Sequence, residues 1–138
     1  METVTTANKA IIRRLFDEAF NQGHLELLDE LFSTDFVDHS TPEQRPGPEG
    51  VRGFFIEVRS RFPDIKVTIE DMIAEGNRVV VRTLWRSSVG TRLIASDATH
   101  SAPDSGSKPL NGTLIQIFHL ENGRVVEEWN EGSGPGEA

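Results

Sequence analysis

The sequence predicts an α+β fold in which three amphipathic helices precede an antiparallel sheet. Apolar residues recur every three to four positions as far as Pro63, and from Ile65 onward they alternate with polar residues. Because the two patterns are segregated along the chain, an α+β order is favoured over alternating βαβ units. The 138 residues are enough for one core of ordinary size, so we expect a single domain spanning residues 1–138.

The first half of the chain has the pattern of three helices. The first ends at Gly23, a residue suited to the left-handed turn after a helix, and a shorter second helix follows it. The third begins in the sequence GPEG, where Pro48 suits the first helical position, and it ends at Pro63. Their apolar stripes are, in turn, Ile11, Ile12, Leu15, Phe16, Ala19 and Phe20; Leu25, Leu28, Leu31 and Phe32; and Val51, Phe54, Phe55, Val58 and Phe62.

The first predicted hairpin turns at Gly76-Asn77, a pair that tolerates positive φ in a two-residue turn. Counting from this turn places Asp71 opposite Arg82. The same count puts both on a face with Ile69, Ile73, Val80 and Leu84. A charged pair on an apolar face has two interpretations: an ion pair that fixes the register, or a contact for an anion or carbonyl group inside a cavity.

The second predicted hairpin turns at the Asn-Gly pair of residues 122–123. With regular pairing, Gln116 lies across from Trp129, and Phe118 lies across from Glu127. One face then carries Leu114, Gln116, Phe118, Leu120, Val125, Glu127 and Trp129. The other carries Ile115, Ile117, His119, Val126, Glu128 and Asn130.

Both faces of this second hairpin are half apolar. We therefore expect one face to cover an internal cavity under the helices and the other to meet a second copy of the chain in a homodimer. Glu127 has two interpretations, an edge position with its carboxylate in solvent or a place in the cavity. Between the hairpins, the polar segment from Ser87 to Leu110 predicts a long loop of the kind that binds ligands or covers a cavity.

The composition argues against several classes of function. The net charge of −8 disfavours binding to nucleic acid and to anionic membranes, and no apolar run is long enough to span a bilayer. Cysteine is absent, and the N-terminal sequence lacks the layout of a signal peptide, so we expect a cytoplasmic protein. The four histidines lack metal-motif spacing, so neither a metal nor another cofactor is predicted.

Several motifs, in this order, resemble those of the SnoaL-like polyketide cyclases. They are FVDH at residues 36–39, GPEG at 47–50, FPD at 62–64, IEDMIAEGNRVVVR in the first hairpin and IFHLENGRVVEEW in the second. The resemblance implies a cone-shaped α+β barrel, a fold shared with nuclear transport factor 2 and ketosteroid isomerase. In that fold the mouth of the cone holds an apolar small molecule.

The sequence departs from these relatives at the positions that carry their chemistry. The resemblance sets Gln116 in place of the aspartate that serves the cyclases as acid and base. It sets Phe16 and Ser40 in place of the tyrosine and the base of the isomerases. The epoxide hydrolases of the same fold need two carboxylates around an arginine. Arg82 matches that arginine, but the residue two positions further on is Leu84, which has no carboxylate. The amide of Gln116 cannot give up and take back a proton as the aspartate does, although it can donate a hydrogen bond to a ligand oxygen.

His39 is the remaining titratable candidate at the mouth of the cone, either as a general base or as a brace for a short strand. Our leading hypothesis is a cofactor-free enzyme that acts on an apolar carbonyl compound by enolisation, cyclisation or isomerisation, with His39 and Gln116 as catalytic residues. The predicted substrate-binding residues are Phe16, Phe36, Asp71, Arg82, Phe118, Glu127 and Trp129. The alternatives are a non-catalytic binding or carrier domain and an interaction module whose interior is filled by its own side chains.

Overall fold

The computed structural model describes residues 3–88 and 110–133, and it confirms the α+β class, although one strand lies between the second and third helices and not after them. Helix α1 (Val4–Arg14) continues into a π-helical turn at Leu15–Phe20, and a 3₁₀ turn at Leu25–Leu27 leads into the short α2 (Leu28–Leu31). Strand β1 (Phe32–Asp38) precedes α3 (Pro48–Arg61). The remaining strands are β2 (Lys66–Glu75), β3 (Arg78–Ser87), β4 (Leu110–Glu121) and β5 (Arg124–Gly132). The predicted loop from Ser87 to Leu110 lies outside the described residues except at its two ends. None of the described helices is long and apolar enough to cross a membrane.

In the part of the chain that the structure describes, the strands form one open sheet in the order β1-β5-β4-β3-β2. Strand β1 runs parallel to β5, and the other neighbours are antiparallel. The π-helical turn packs on this sheet through Asn21, whose side-chain amide donates to the Val67 carbonyl oxygen (2.8 Å) and accepts from the Val67 amide (2.9 Å). These two bonds hold the C-terminal end of the first helix against β2.

The predicted register of the first hairpin is confirmed as far as Asp71, but Ile69 does not share the face of Asp71, and that face lies on the outside of the sheet. Glu75 pairs with Arg78 and Asp71 with Arg82, as expected. A bulge between Ile69 and Asp71 moves Ile69 to the inner face, while Asp71 stays on the outer face with Ile73, which is 67% exposed. The inner face of β3 is instead formed by Val79, Val81, Thr83 and Trp85.

The second hairpin has the predicted turn, with Asn122 and Gly123 at φ of 53° and 80°, but a bulge changes the register of β5. Leu120 pairs with Val125 and His119 with Glu127, which leaves Val126 without a partner on β4. Beyond this point each residue of β5 faces the side opposite to the predicted one. The predicted pairings of Gln116 with Trp129 and of Phe118 with Glu127 are therefore wrong, because Gln116 pairs with Asn130 and Phe118 with Glu128.

Aromatic side chains pack between the helices and part of the concave face of the sheet. Phe16 and Phe20 on the π-helical turn meet Trp85 edge to face, with ring centroids 6.3 Å and 5.1 Å away, and Phe20 also meets Phe55 at 4.8 Å. All four rings are almost fully buried. Edge-to-face contacts of this kind add to the free energy gained from burial alone.

The GPEG motif fixes the start of α3 against β1. Gly47 has φ of +79°, donates its amide to the Phe36 carbonyl oxygen at 2.8 Å, and would place a Cβ 2.7 Å from the Thr34 carbonyl oxygen. A Cβ on Gly50 would overlap the Arg45 carbonyl oxygen. Both glycines are therefore explained by close backbone approach, which makes the motif structural.

We expect Gly50→Ala to lower the free energy of unfolding by roughly 2 kcal/mol or more, because the backbone of residue 45 must move to admit the methyl group. Gly53→Ala on the same helix is the matched control. No atom lies within 4 Å of a Cβ there, so alanine should stabilise the protein by about 0.5–1 kcal/mol through helix propensity. Urea unfolding measures both changes, and equal effects at the two positions would contradict the packing argument.

Candidate active site

A cavity of about 820 Å³ lies between the helices and the concave face of the sheet. Its apolar wall consists of Leu15, Phe16, Phe32, Val51, Phe54, Phe55, Trp85, Leu114 and Phe118. Its polar wall includes Asp38, His39, Ser40, Thr41, Glu43, Gln44, Gln116, Glu128, Asn130 and Glu131. A cavity of this size with polar groups gathered on one side is typical of a small-molecule site, and it argues against an interior filled by the protein's own side chains.

Four of the predicted site residues lie on this cavity. Phe16 and Phe118 are in its apolar wall, Gln116 lies between the two walls on β4, and His39 follows the end of β1. Phe36 is not in the lining, because its fully buried ring packs on Phe32 with the centroids 4.7 Å apart. The structure therefore does not place Phe36 on the cavity, contrary to what the prediction requires.

Asp71 and Arg82 lie on the outer face of the sheet, away from the cavity. The Arg82 guanidinium contacts the Asp71 carboxylate through Nη2 at 2.6 Å and Nε at 2.8 Å, and it also approaches Glu70. Their placement in a substrate pocket is wrong because the face that they share with Ile73 lies on the outside of the sheet. The interpretation as a cross-strand ion pair agrees with this geometry, and the exposure of both side chains limits its contribution to stability.

Glu127 and Trp129 also lie on the outer face, so their predicted place in the cavity is wrong. The Glu127 carboxylate is hydrogen-bonded to His119 Nδ1 at 2.8 Å and to His39 Nε2 at 3.0 Å, and these bonds lower its pKa. The Trp129 ring stacks on His39 with the centroids 4.9 Å apart and lies under the Arg78 guanidinium. Together these contacts hold His39 at the rim of the cavity.

A chain of hydrogen bonds crosses the inner face of the sheet from β3 to β5. Trp85 Nε1 donates to Thr83 Oγ1 at 2.9 Å, and the Thr83 hydroxyl donates to Gln116 Oε1 at 2.8 Å. Gln116 Nε2 then donates to Glu128 Oε2 at 2.9 Å. All four side chains are buried, so each bond replaces contact with water that folding removes.

Glu128 is an acidic residue of the cavity that regular pairing of the hairpin would place on the outer face. Its side chain lines the cavity with 9% of the residue exposed, and its pKa is raised from 4.5 to about 8. Burial is the main cause, and the charge of Asp38 adds to it, while hydrogen bonds from Gln116 and Asn130 oppose it. At neutral pH the carboxyl group is therefore mostly neutral and holds a proton inside the cavity.

Asp38 is the cross-strand neighbour of Glu128, because β1 and β5 pair in parallel at these two residues. Burial raises its pKa, against hydrogen bonds from the Ser40 amide (2.9 Å) and from Asn130 Nδ2 (3.2 Å). The Asn130 amide is hydrogen-bonded to both carboxyl groups. Its Oδ1 atom is buried and accepts no hydrogen bond from the described residues, which leaves an acceptor free for a ligand or for water.

The arrangement brings a neutral carboxylic acid and a second carboxyl group to the polar wall of an apolar cavity. Sequence reasoning did not select Asp38, Glu128 or Asn130, although Glu128 and Asn130 were placed on the opposite face of the same hairpin. Within residues 3–88 and 110–133, no three His, Asp or Glu side chains converge in a way that could hold a metal ion.

The open sheet packed on three helices places the chain in the nuclear transport factor 2-like fold class. Residues 10–132 match the family model of the SnoaL-like polyketide cyclases, and the chain belongs to that family. Membership supports a cyclase- or isomerase-like enzyme acting on a small molecule. No curated protein matches the sequence significantly.

Solved structures agree with this assignment. IdmH from Streptomyces antibioticus, a candidate polyketide cyclase, is 30% identical, with 91% of each chain covered and a TM-score of 0.71. TsrD from Streptomyces laurentii is 23% identical over 96% of this chain and 92% of its own, with a TM-score of 0.77. A candidate polyketide cyclase from Bacillus cereus is 23% identical over 93% of this chain and 75% of its own, with a TM-score of 0.73.

Proposed function

We propose that the protein is an acid–base enzyme that enolises an apolar carbonyl compound and so isomerises or cyclises it. The observation that carries the proposal is the buried carboxyl group of Glu128, which lies on the wall of the cavity next to Asp38. The family aspartate position on β4 holds Gln116, and Glu128 on the neighbouring strand supplies a carboxyl group beside it, at 2.9 Å from the Gln116 amide nitrogen.

In the proposed reaction, Glu128 donates a proton or a hydrogen bond to the substrate carbonyl oxygen while the Asp38 carboxylate removes a proton from the adjacent carbon. The product of this step is an enol or enolate, with the former C–H proton on Asp38. Returning that proton from Asp38 to a different carbon isomerises the compound. Attack of the enol or enolate carbon on a second carbonyl group closes a ring, and the new alkoxide takes the proton from Asp38. In both outcomes, any proton that Glu128 gave to the carbonyl oxygen returns to Glu128 as the first carbonyl group re-forms. Two carboxyl groups side by side, of which one holds a proton and disfavours the ionisation of the other, suit this division of roles.

The polar wall also supports this assignment of roles. Asn130 Oδ1 is a free acceptor beside both carboxyl groups, so a hydroxyl or enol group of the ligand can donate to it. We assign the base to Asp38 in preference to His39, because Glu127 engages His39 Nε2 from outside the cavity. Gln116 acts mainly through Glu128, since its oxygen is already bound by Thr83 and its nitrogen by Glu128.

A non-catalytic binding domain is the second candidate, and the observation that favours it is the amide of Gln116 at the position of the family aspartate. Hydrogen–deuterium exchange at carbon separates the two. The protein is incubated in D₂O with apolar cyclic ketones, for example 2-tetralone and a steroid 3-ketone, and mass spectrometry measures deuterium at the carbon next to the carbonyl group. An enzyme accelerates the exchange, and Asp38→Asn abolishes the acceleration. A binding domain raises its own melting temperature with the ketone but leaves the exchange rate at the buffer value.

We also propose a homodimer formed through the outer face of the sheet, in the cytoplasm. Ile115 and Ile73 on that face are 45% and 67% exposed, and Ile117 and Val126 are partly buried beside them. Light scattering should give twice the mass of the chain at micromolar concentration, and Ile115→Glu should give a monomer with an unchanged circular dichroism spectrum. A monomeric wild type would contradict this proposal without affecting the cavity.

A further inference from the structure

The hydrogen-bond chain under the cavity has a fixed direction, because its first member can only donate. The indole N–H of Trp85 carries a hydrogen and offers no lone pair, so Thr83 Oγ1 must accept from it. The hydroxyl hydrogen of Thr83 is then available to the next partner, which lies 2.8 Å away at Gln116. Only the oxygen of an amide can accept it.

This direction determines which end of the Gln116 amide faces Glu128. With its oxygen bound to Thr83, the amide must present its nitrogen, which donates to Glu128 Oε2. Rotation of the amide by 180° would turn Gln116 Nε2–H₂ toward Thr83 and remove the oxygen that accepts from the buried Thr83 hydroxyl. The hydroxyl would then lose its acceptor or meet a second donor, which is costly in a buried site, so one orientation of the amide is favoured.

We propose that Thr83 and Trp85 are positioning residues for the acid: they lock the Gln116 amide with its nitrogen on Glu128 Oε2 and so keep the Glu128 proton on Oε1. This inference rests on the proposed function for its role in turnover, but the orientation itself follows from the four side chains. An oxygen that already accepts a hydrogen bond from Gln116 is the poorer place for the proton. The proton on the other oxygen can then be donated to the carbonyl group of a ligand, beside the Asn130 amide, which also bonds to this carboxyl group.

The locked amide has a second consequence for Glu128. An N–H donor stabilises the ionised carboxylate, whereas an amide oxygen in the same place would stabilise the protonated acid. Gln116 therefore opposes the rise in pKa that burial and Asp38 impose on Glu128. The other ionisable groups on the cavity are His39 and Glu43, in the segment after β1, and Glu131 at the end of β5. The helical residues in the lining are apolar, so none of them adds a charge that faces Glu128.

The test is the titration of Glu128, followed by carbon-detected NMR of the side-chain carboxyl signals and assigned by the loss of one signal in Glu128→Gln. The wild type is expected to titrate near pH 8. Thr83→Val keeps the shape of the side chain but removes the hydroxyl, so the amide can turn its oxygen to Glu128 and raise the midpoint by roughly one to two pH units. Thr83→Ser restores the hydroxyl and should return the midpoint to within a few tenths of a unit.

Trp85→Phe provides a second variant that keeps an aromatic ring in the core if Thr83→Val folds poorly. It removes the donor that fixes the hydroxyl hydrogen, so the Glu128 midpoint should again rise. Unchanged midpoints in both Thr83→Val and Trp85→Phe, or an equal shift in Thr83→Ser, would overturn the proposal. If the midpoint shifts in these variants but the wild type never exchanges ketone hydrogens, the positioning role is supported and the proposed enzymatic function is refuted. The failure of the positioning proposal can therefore be told apart from the failure of the proposed function.

Discussion

Replacing Glu128 with glutamine is expected to make the folded protein markedly more stable than the wild type at pH 9, although not at pH 5. The folded state holds the Glu128 proton up to about pH 8, whereas the unfolded chain releases it near the ordinary value of 4.5. Between these values the folded state binds more protons, so its stability falls as the pH rises. The stabilisation from this proton is fully present below about pH 4.5 and is lost once the pH rises above about 8. The loss amounts to roughly 3–5 kcal/mol of the free energy of unfolding.

Glutamine cannot ionise, so the variant should lack this loss. We expect its melting temperature to exceed that of the wild type by roughly 10 °C at pH 9 and to differ little at pH 5. Glu127→Gln is the matched control, since it removes a carboxylate from the next residue on the opposite face. The control should gain no stability at alkaline pH, because the pKa of Glu127 is lowered by its histidine partners. Parallel pH profiles for the wild type and Glu128→Gln would contradict the burial of a neutral acid.

The helices and both hairpin turns could be predicted because their signals are local. Pro48 stands at the first position of α3 as expected, and Asn122 and Gly123 have the positive φ angles that their residue types favour. The parallel pairing of β1 with β5 is different in kind, since it joins residues about 90 positions apart along the chain, such as Asp38 and Glu128. Neither strand carries a pattern that specifies such a partner.

The position of the acid could not be predicted because shifting the register of β5 by one residue leaves nearly the same residue types on each face. It reads Val-Val-Glu-Glu from residue 125 to residue 128, so either register buries one valine and one glutamate. Period-two patterning therefore gives no preference between Glu127 and Glu128. The bulge at Val126 determines which glutamate faces inward. It places Glu128 beside Gln116 on the inner face, and it places Trp129 on the outer face, where its ring stacks on His39. Gln116 lies on the cavity as predicted because the extra residue is in β5, which leaves the alternation of side chains along β4 unchanged.

The two adjacent glutamates also give the sharpest test of the proposed chemistry. Glu128→Gln should reduce the catalysed hydrogen–deuterium exchange of the ketone substrate by roughly 10² to 10⁴-fold, because it removes the only proton that this residue can donate to the carbonyl oxygen. Glutamine keeps the size of the side chain, and its oxygen can still accept from the Gln116 amide. Binding of the ketone, measured by thermal shift at pH 6, should therefore change far less than turnover.

Glu127→Gln should retain exchange within a few-fold of the wild type, since this carboxylate lies on the outer face and reaches the cavity only through His39. Exchange rates at saturating ketone are measured for the wild type and both variants. They show whether the inner glutamate, Glu128, or the outer one, Glu127, is the catalytic acid. If Glu127→Gln loses the exchange while Glu128→Gln keeps it, the bulge at Val126 is absent in solution and the regular register is correct. In that case the catalytic hydrogen bond would belong to the Glu127 and His39 pair, and Glu128 would lie outside the site.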